Sequence, residues 1–263
     1  MEARSVAVRA TRGGIKGASA AWDRLRRPDP GITILIYHRV GAGTGGQMDV
    51  PIPEFDDQLA WLSAHRTVLT LDAAADLIES GSVPLDGVVL TFDDGTDDWA
   101  RHVLPALDRH DVPATFYVAT DFVDRSLPFP GEGRPADWAA LKELVSSPLV
   151  TVGSHTHRHV LLDRLPSVEI DDELDRSIDL LRDHLDIDPI HFAYPKAVAG
   201  SSSAEAAVRR RFRTAVLAGT RSNPAGIDLH RLRRSPVQAS DTAAWFRRKA
   251  VGGMRLEDDL RQL

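Results

Sequence analysis

Five apolar runs constrain how this chain can fold: ITILIYH (32–38), VVLTF (88–92), PATFYVA (113–119), LVTVGSH (149–155) and IHFAYP (190–195). Each is continuous, not alternating, which marks a strand buried on both faces, and such strands belong to parallel sheets covered by helices. Helical spacing fills the gaps between them. Helices are predicted over 53–65, 71–80, 97–110, 135–146, 166–185 and 203–212, with Pro105 expected to kink the third. RTAVLA (213–218) adds a strand, and the segments LHRLRRSPV and DTAAWFRRKAVGG add a last strand and helix.

Repeated strand–helix alternation without hairpin signals gives an α/β fold with parallel strands, and a (β/α) barrel is preferred over an open sheet. At 263 residues the chain matches the roughly 250 that such a barrel uses. The expected organisation is an N-terminal arm over 1–30, one barrel domain over 31–255 and a short tail over 256–263. The segment 121–134 reads as a long irregular loop over a site, with Pro128, Phe129 and Pro130 either lining a subsite or stiffening the loop.

Composition narrows the chemistry. There is no cysteine, so disulfides and thiolate metal sites are excluded, and any metal must be held by His, Asp or Glu. A net charge of −6 argues against a general nucleic-acid binder. Residues 54–98 hold eleven acids and one arginine, whereas 205–249 hold eleven bases and three acids, so the two segments are expected to complement each other. No stretch approaches the ~20 apolar residues of a membrane span, and the N-terminus lacks the apolar core of a secretory signal. The expected location is therefore the cytoplasm.

In α/β folds the chemistry sits where strands end. The apolar runs end in Tyr37-His38, Asp93-Asp94-Gly95, Ser154-His155-Thr156-His157-Arg158-His159 and Tyr194-Pro195. Within HTHRH, His155 and His159 share a face in both extended and helical geometry, while His157 joins them only if the strand continues. Two imidazoles need a third ligand to hold a divalent ion, and here that must be a carboxylate, supplied by Asp93 or Asp94. Adjacent aspartates would diverge on a regular strand, so the strand should break there, with Gly95 permitting it. Asp97 and Asp98 are expected to cap the following helix.

Together TFDDG (91–95) and H-T-x-x-H (155–159) resemble the first two motifs of the polysaccharide deacetylases of the NodB-homology type, carbohydrate esterase family 4. LIYHRV, VVLTFDDG, PATFYV, VGSHTHRH, HFAYP and RLRRSPV follow in the order of its exopolysaccharide-deacetylase branch, so the resemblance spans about 32–240. It implies a distorted (β/α)7-type barrel that hydrolyses N-acetyl groups of an amino-sugar substrate with a divalent metal, usually zinc. Carried over by position, Asp94, His155 and His159 would be metal ligands and Asp93 the general base. The FAYP motif implies a backbone N–H at Tyr194 for the oxyanion.

Two departures from the family pattern stand out. No hydrophobic-x-His motif occurs late in the chain, but Ile36-Tyr37-His38 has that pattern on the first strand, making His38 the expected general acid. The third motif lacks its base-orienting arginine. Arg234 is expected to replace it by pairing with Asp93, with Arg233 and Arg231 as alternatives. Another amide substrate, such as a cyclic imide or ureide, and a silent carbohydrate-binding module remain as other readings.

Overall fold

The computed structural model describes residues 30–131 and 133–254. All but the last residue of the predicted arm, and the whole of the predicted tail, therefore lie outside the described residues. The predicted strands are present. In chain order they are β1 (Thr33–Tyr37), β2 (Arg39–Val40), β3 (Asp49–Val50), β4 (Thr67–Val68), β5 (Gly87–Asp94), β6 (Ala114–Val118), β7 (Val150–Ser154), β8 (His191–Ala193), β9 (Thr214–Val216) and β10 (Arg234–Pro236). Seven of them run side by side in the order β10, β1, β5, β6, β7, β8, β9, all parallel, and β4 pairs beside the foot of β5. The two edges nearly meet. Leu217 N–H donates to Leu232 O (2.8 Å) and Gly219 N–H to Arg234 O (2.9 Å), so β9 lies against the chain entering β10. The result is a distorted parallel barrel.

Helices cover its outside: α1 (Ile52–His65), α2 (Leu71–Ser80), α3 (Leu104–His110), α4 (Thr120–Asp124), α5 (Trp138–Val145), α6 (Ser167–Leu185), α7 (Ser202–Arg211) and α8 (Ala243–Lys249). The expected kink has a physical form. A π-turn at Trp99–Val103 gives way to α3 one residue before Pro105, which has no N–H to donate to the carbonyl four residues back. The paired strands β2 and β3, and α4 inside the expected loop, are too short to carry a periodic signal. Among the described residues, no helix is long and apolar enough to cross a membrane.

Strand alternation sorts the side chains. Tyr37, Phe92 and Phe116 sit abreast on β1, β5 and β6, with ring centroids 5.2 and 4.8 Å apart. This stack packs outward on Phe55 of α1 and on Trp99, forming the layer between sheet and helices. Their sequence neighbours must then point inward. Those neighbours are Ile36, His38, Thr91, Asp93, Thr115 and Tyr117.

Candidate active site

Asp93 and Asp94 end β5, the longest strand, which is buried along its whole length. The break falls at this pair, as the sequence suggests. β5 stays in register with β6 through Asp94, opposite Val118, and the turn is made by Asp94 itself at φ 92° followed by Gly95 at φ 114°. A positive φ is strained for most residues but tolerated by Asp. It swings the second carboxylate back toward the first, so both approach one imidazole. His155 Nε2 is 3.7 Å from Asp93 Oδ2 and 4.0 Å from Asp94 Oδ1.

The histidines come from the end of β7. Ser154 aligns with Val118, and His155 N–H donates to Val118 O (3.0 Å), placing His155 one step beyond Asp94 across the barrel mouth. The segment then neither continues as a strand nor winds into a helix, because Thr156 and His159 both adopt positive φ. This turn brings His159 Nε2 to 3.7 Å from Asp94 Oδ1 and the two imidazole rings to 4.7 Å. His157 goes elsewhere. Its Nδ1 meets Thr120 Oγ1 (2.9 Å) and its Nε2 accepts from Arg176 (3.1 Å).

One ligand atom each from Asp94, His155 and His159 lies within 4.8 Å of the others. The donor set suits a divalent ion of intermediate softness. His155 Nδ1 lies 2.7 Å from Ala193 O, so this nitrogen carries the proton and Nε2 offers its lone pair. Burial, then the adjacent His155, push His159 down to about 4, so it is neutral at neutral pH as a ligand must be.

Behind this trio, Arg234 on β10 grips Asp93 with two bonds, NH1 to Oδ1 (2.6 Å) and NH2 to Oδ2 (2.7 Å). The guanidinium is fully buried, also donates to Leu217 O and Thr91 Oγ1, and lies over the Tyr117 ring. Arg231 and Arg233 do not reach Asp93; they bond Glu205 and Ser222 O. Burial raises the Asp93 carboxyl, but Arg234, with His155 and His38, outweighs it and holds Asp93 down at about 2.

A cleft of ≈ 410 Å³ opens over these groups, bounded by His38, Phe129, Pro130, Lys196 and Gln238 as well as the two acids and two histidines. His38 follows β1 on the inward face, and its Nδ1 is buried without a hydrogen-bond partner. Burial pushes its pKa below the ordinary range, while Asp94 and Asp93 pull the other way. Phe129 and Pro130 form a wall of the cleft, whereas Pro128 is exposed and outside it.

Two expectations need correction. The Tyr194 N–H, expected to serve the oxyanion, donates instead to Val216 O (3.2 Å), because the β8–β9 ladder continues past Ala193. The Tyr194 side chain packs with Leu162, Phe192 and Phe212 and takes no part in the cleft. Nor do Asp97 and Asp98 cap the helix. Asp98 reaches across to accept from Val40 N–H (2.7 Å), and Asp97 pairs with Arg101 and Arg134. Arg39, Met48 and Gln238 gave no sequence signal, since they reach the site from turns and a two-residue strand.

Residues 81–215, just over half the chain, match the family described as Polysaccharide deacetylase. The chain belongs to the polysaccharide deacetylase family. YxkH of Bacillus subtilis is 25 % identical over 223 residues, 83 % of this chain and 76 % of that protein. The poly-β-1,6-N-acetyl-D-glucosamine N-deacetylase of Staphylococcus epidermidis is 29 % identical over 103 residues, 39 % of this chain and 35 % of that protein. Among solved structures, IcaB from Ammonifex degensii superposes with a TM-score of 0.74 at 26 % identity, covering 86 % of this chain and 98 % of its own. The parallel barrel of this deacetylase is thus shared along nearly its whole described length.

Proposed function

We propose that this deacetylase is a metal-dependent hydrolase that removes N-acetyl groups from the amino sugars of a polysaccharide or oligosaccharide. One observation carries the reading: a three-donor cluster of Asp94, His155 and His159 shares a cleft with a second, ionised carboxylate, Asp93. A sugar-binding module needs neither a cation site nor a base. The relative that acts on poly-β-1,6-N-acetyl-D-glucosamine supports an N-acetylated sugar as the substrate class.

Amide hydrolysis adds water across the acyl C–N bond, releasing acetate and an amine. Asp94, His155 and His159 would hold a divalent cation such as zinc, which would supply Lewis acidity to the acyl oxygen and to water. Asp93 is the group placed to take the water proton, since it is ionised throughout the physiological range. Arg234 keeps it ionised and fixes its plane, which limits its strength as a base but removes any need to lose a proton first. His38, which lines the same cleft, is the group placed to pass a proton to the departing nitrogen. Burial lowers its pKa, so it takes up that proton during the reaction, once Asp93 has removed it from water. Pocket walls of Phe129, Pro130 and Pro236 offer apolar surface to a sugar ring, with Lys196 and Gln238 as polar contacts.

The test is acetate release from N-acetylglucosamine oligomers after chelation and after zinc is restored. Zinc-dependent release supports the reading. Acetate released undiminished by the chelated protein overturns it. Ring opening of imides without acetate release would move the substrate to a different amide.

A further inference from the structure

We propose, building on the deacetylase reading, that Arg39 is a positioning residue that latches the turn carrying Phe129, Pro130, Gly131 and Gly133 onto Asp94. One side chain then sets both the wall of the cleft and the presentation of a ligand carboxylate.

Arg39 follows His38 on β2 and is 7 % exposed. A buried guanidinium is costly unless its donors are met. Its partners are all at the site: it donates to Pro130 O (2.9 Å) and Gly131 O (3.4 Å), and its NH2 is 3.9 Å from Asp94 Oδ2. The two oxygens of Asp94 are thereby divided. Oδ2 faces Arg39, while Oδ1 faces His155 and His159. A carboxylate fixed by an outer partner offers one defined oxygen to its ligand set.

The turn is shaped around the guanidinium. Arg39 Nε is buried without a partner, and a Cβ built on Gly133 would run into Nε and lie 2.7 Å from Cζ. A side chain at position 133 would compete with the guanidinium for the same space. Phe129 N–H closes the turn onto Gly133 O (2.8 Å), and Phe129 stacks on Phe122, which meets His159 edge-on at 6.4 Å. The wall is thus tied to the ligand set through Arg39 on one side and Phe122 on the other.

Two readouts independent of turnover test the latch in Arg39→Met, with Gly133→Ala as the second variant because its Cβ displaces the guanidinium. Amide exchange over 127–135 in metal-free protein should accelerate roughly tenfold or more in both. Zinc affinity, measured by competition with a chromophoric chelator, should fall about 10- to 100-fold, the usual consequence of losing an outer partner of a ligand. Removing a positive charge alone would strengthen zinc binding, so a net loss reports orientation. Unchanged exchange, or unchanged zinc affinity, in both variants overturns the latch. Failure of the underlying reading looks different: zinc binding by the wild type would then be absent or insensitive to Asp94→Gly.

Discussion

The same trio of side chains stands at both ends of the barrel. At the carboxyl end of the strands, Asp93 is gripped by Arg234 and lies 3.7 Å from His155. At the amino end, Asp72 is bonded by Arg213 (2.8 Å) and lies 3.3 Å from His191. Both acids are held at about 2, Asp72 through His191 first, against partial burial, and then through Arg213. Their surroundings differ. The Asp93 and Arg234 side chains are 4 % and 0 % exposed, whereas Asp72 and Arg213 are 39 % and 31 % exposed. Asp93 faces a cleft containing a three-donor cluster, while Arg213 also pairs with Asp76 and Glu79 on the outer surface. An Asp–His–Arg trio is therefore not a site in itself. The carboxyl end is the candidate because a second set of groups able to hold a cation converges there out of water, at the end of the strands where such barrels place their chemistry.

The contrast predicts opposite consequences for substitutions at the two ends. The largest effect is expected for Asp94→Gly, which removes the carboxylate at a φ where glycine is at ease. Zinc content and acetate release should both fall, the latter by about 10³-fold or more, with the thermal midpoint little changed. His38→Ala should lower kcat by about 10²-fold or more while retaining zinc, as removal of a general acid does. A variant with full turnover would remove His38 from the mechanism.

Asp98 sharpens the comparison as a third aspartate, fully buried and with no ion pair to a cation among the described residues. Burial pushes it up to about 6, against the bond it accepts from the Val40 N–H. Its folded pKa is raised, so ionisation destabilises the fold as pH climbs from about 4 to about 6, and the penalty is complete above that. Asp98→Asn should therefore stabilise the protein by about 1–3 kcal/mol at pH 7 and by almost nothing at pH 4, as read from chemical denaturation. The smallest effect belongs to the amino end. Asp72→Asn should cost about 1 kcal/mol at pH 7, discounted for exposure, and leave kcat within about twofold. Because the Asp72 pKa is lowered, its contribution is present above about pH 4 and vanishes as pH falls through about 2.

Much of this was legible in the sequence for a definable reason. Parallel strands buried on both faces announce themselves as apolar runs, and the groups that end each run mark the barrel mouth. Asp93, Asp94 and His155 could be found because each stands within a residue or two of such an end, and His159 because its four-residue spacing from His155 keeps the two on one face. What was hidden depends on distant partners. The choice among Arg231, Arg233 and Arg234 follows from the pairing of Ile34 with Arg234, about 200 residues apart in the chain. Asp98 looked like a cap because its partner, the Val40 N–H, belongs to a two-residue strand with no periodicity. Tyr194 was expected to have a free N–H because the sequence does not show how far the β8–β9 ladder runs.

The central claim is that Asp94 holds a cation while Asp93, beside it, takes a proton. The direct measurement pairs zinc content with acetate release from an N-acetylglucosamine oligomer for wild type and Asp93→Asn. The account predicts that Asp93→Asn keeps its zinc and loses at least about 10²-fold in turnover. Zinc-loaded Asp93→Asn with wild-type acetate release would contradict it.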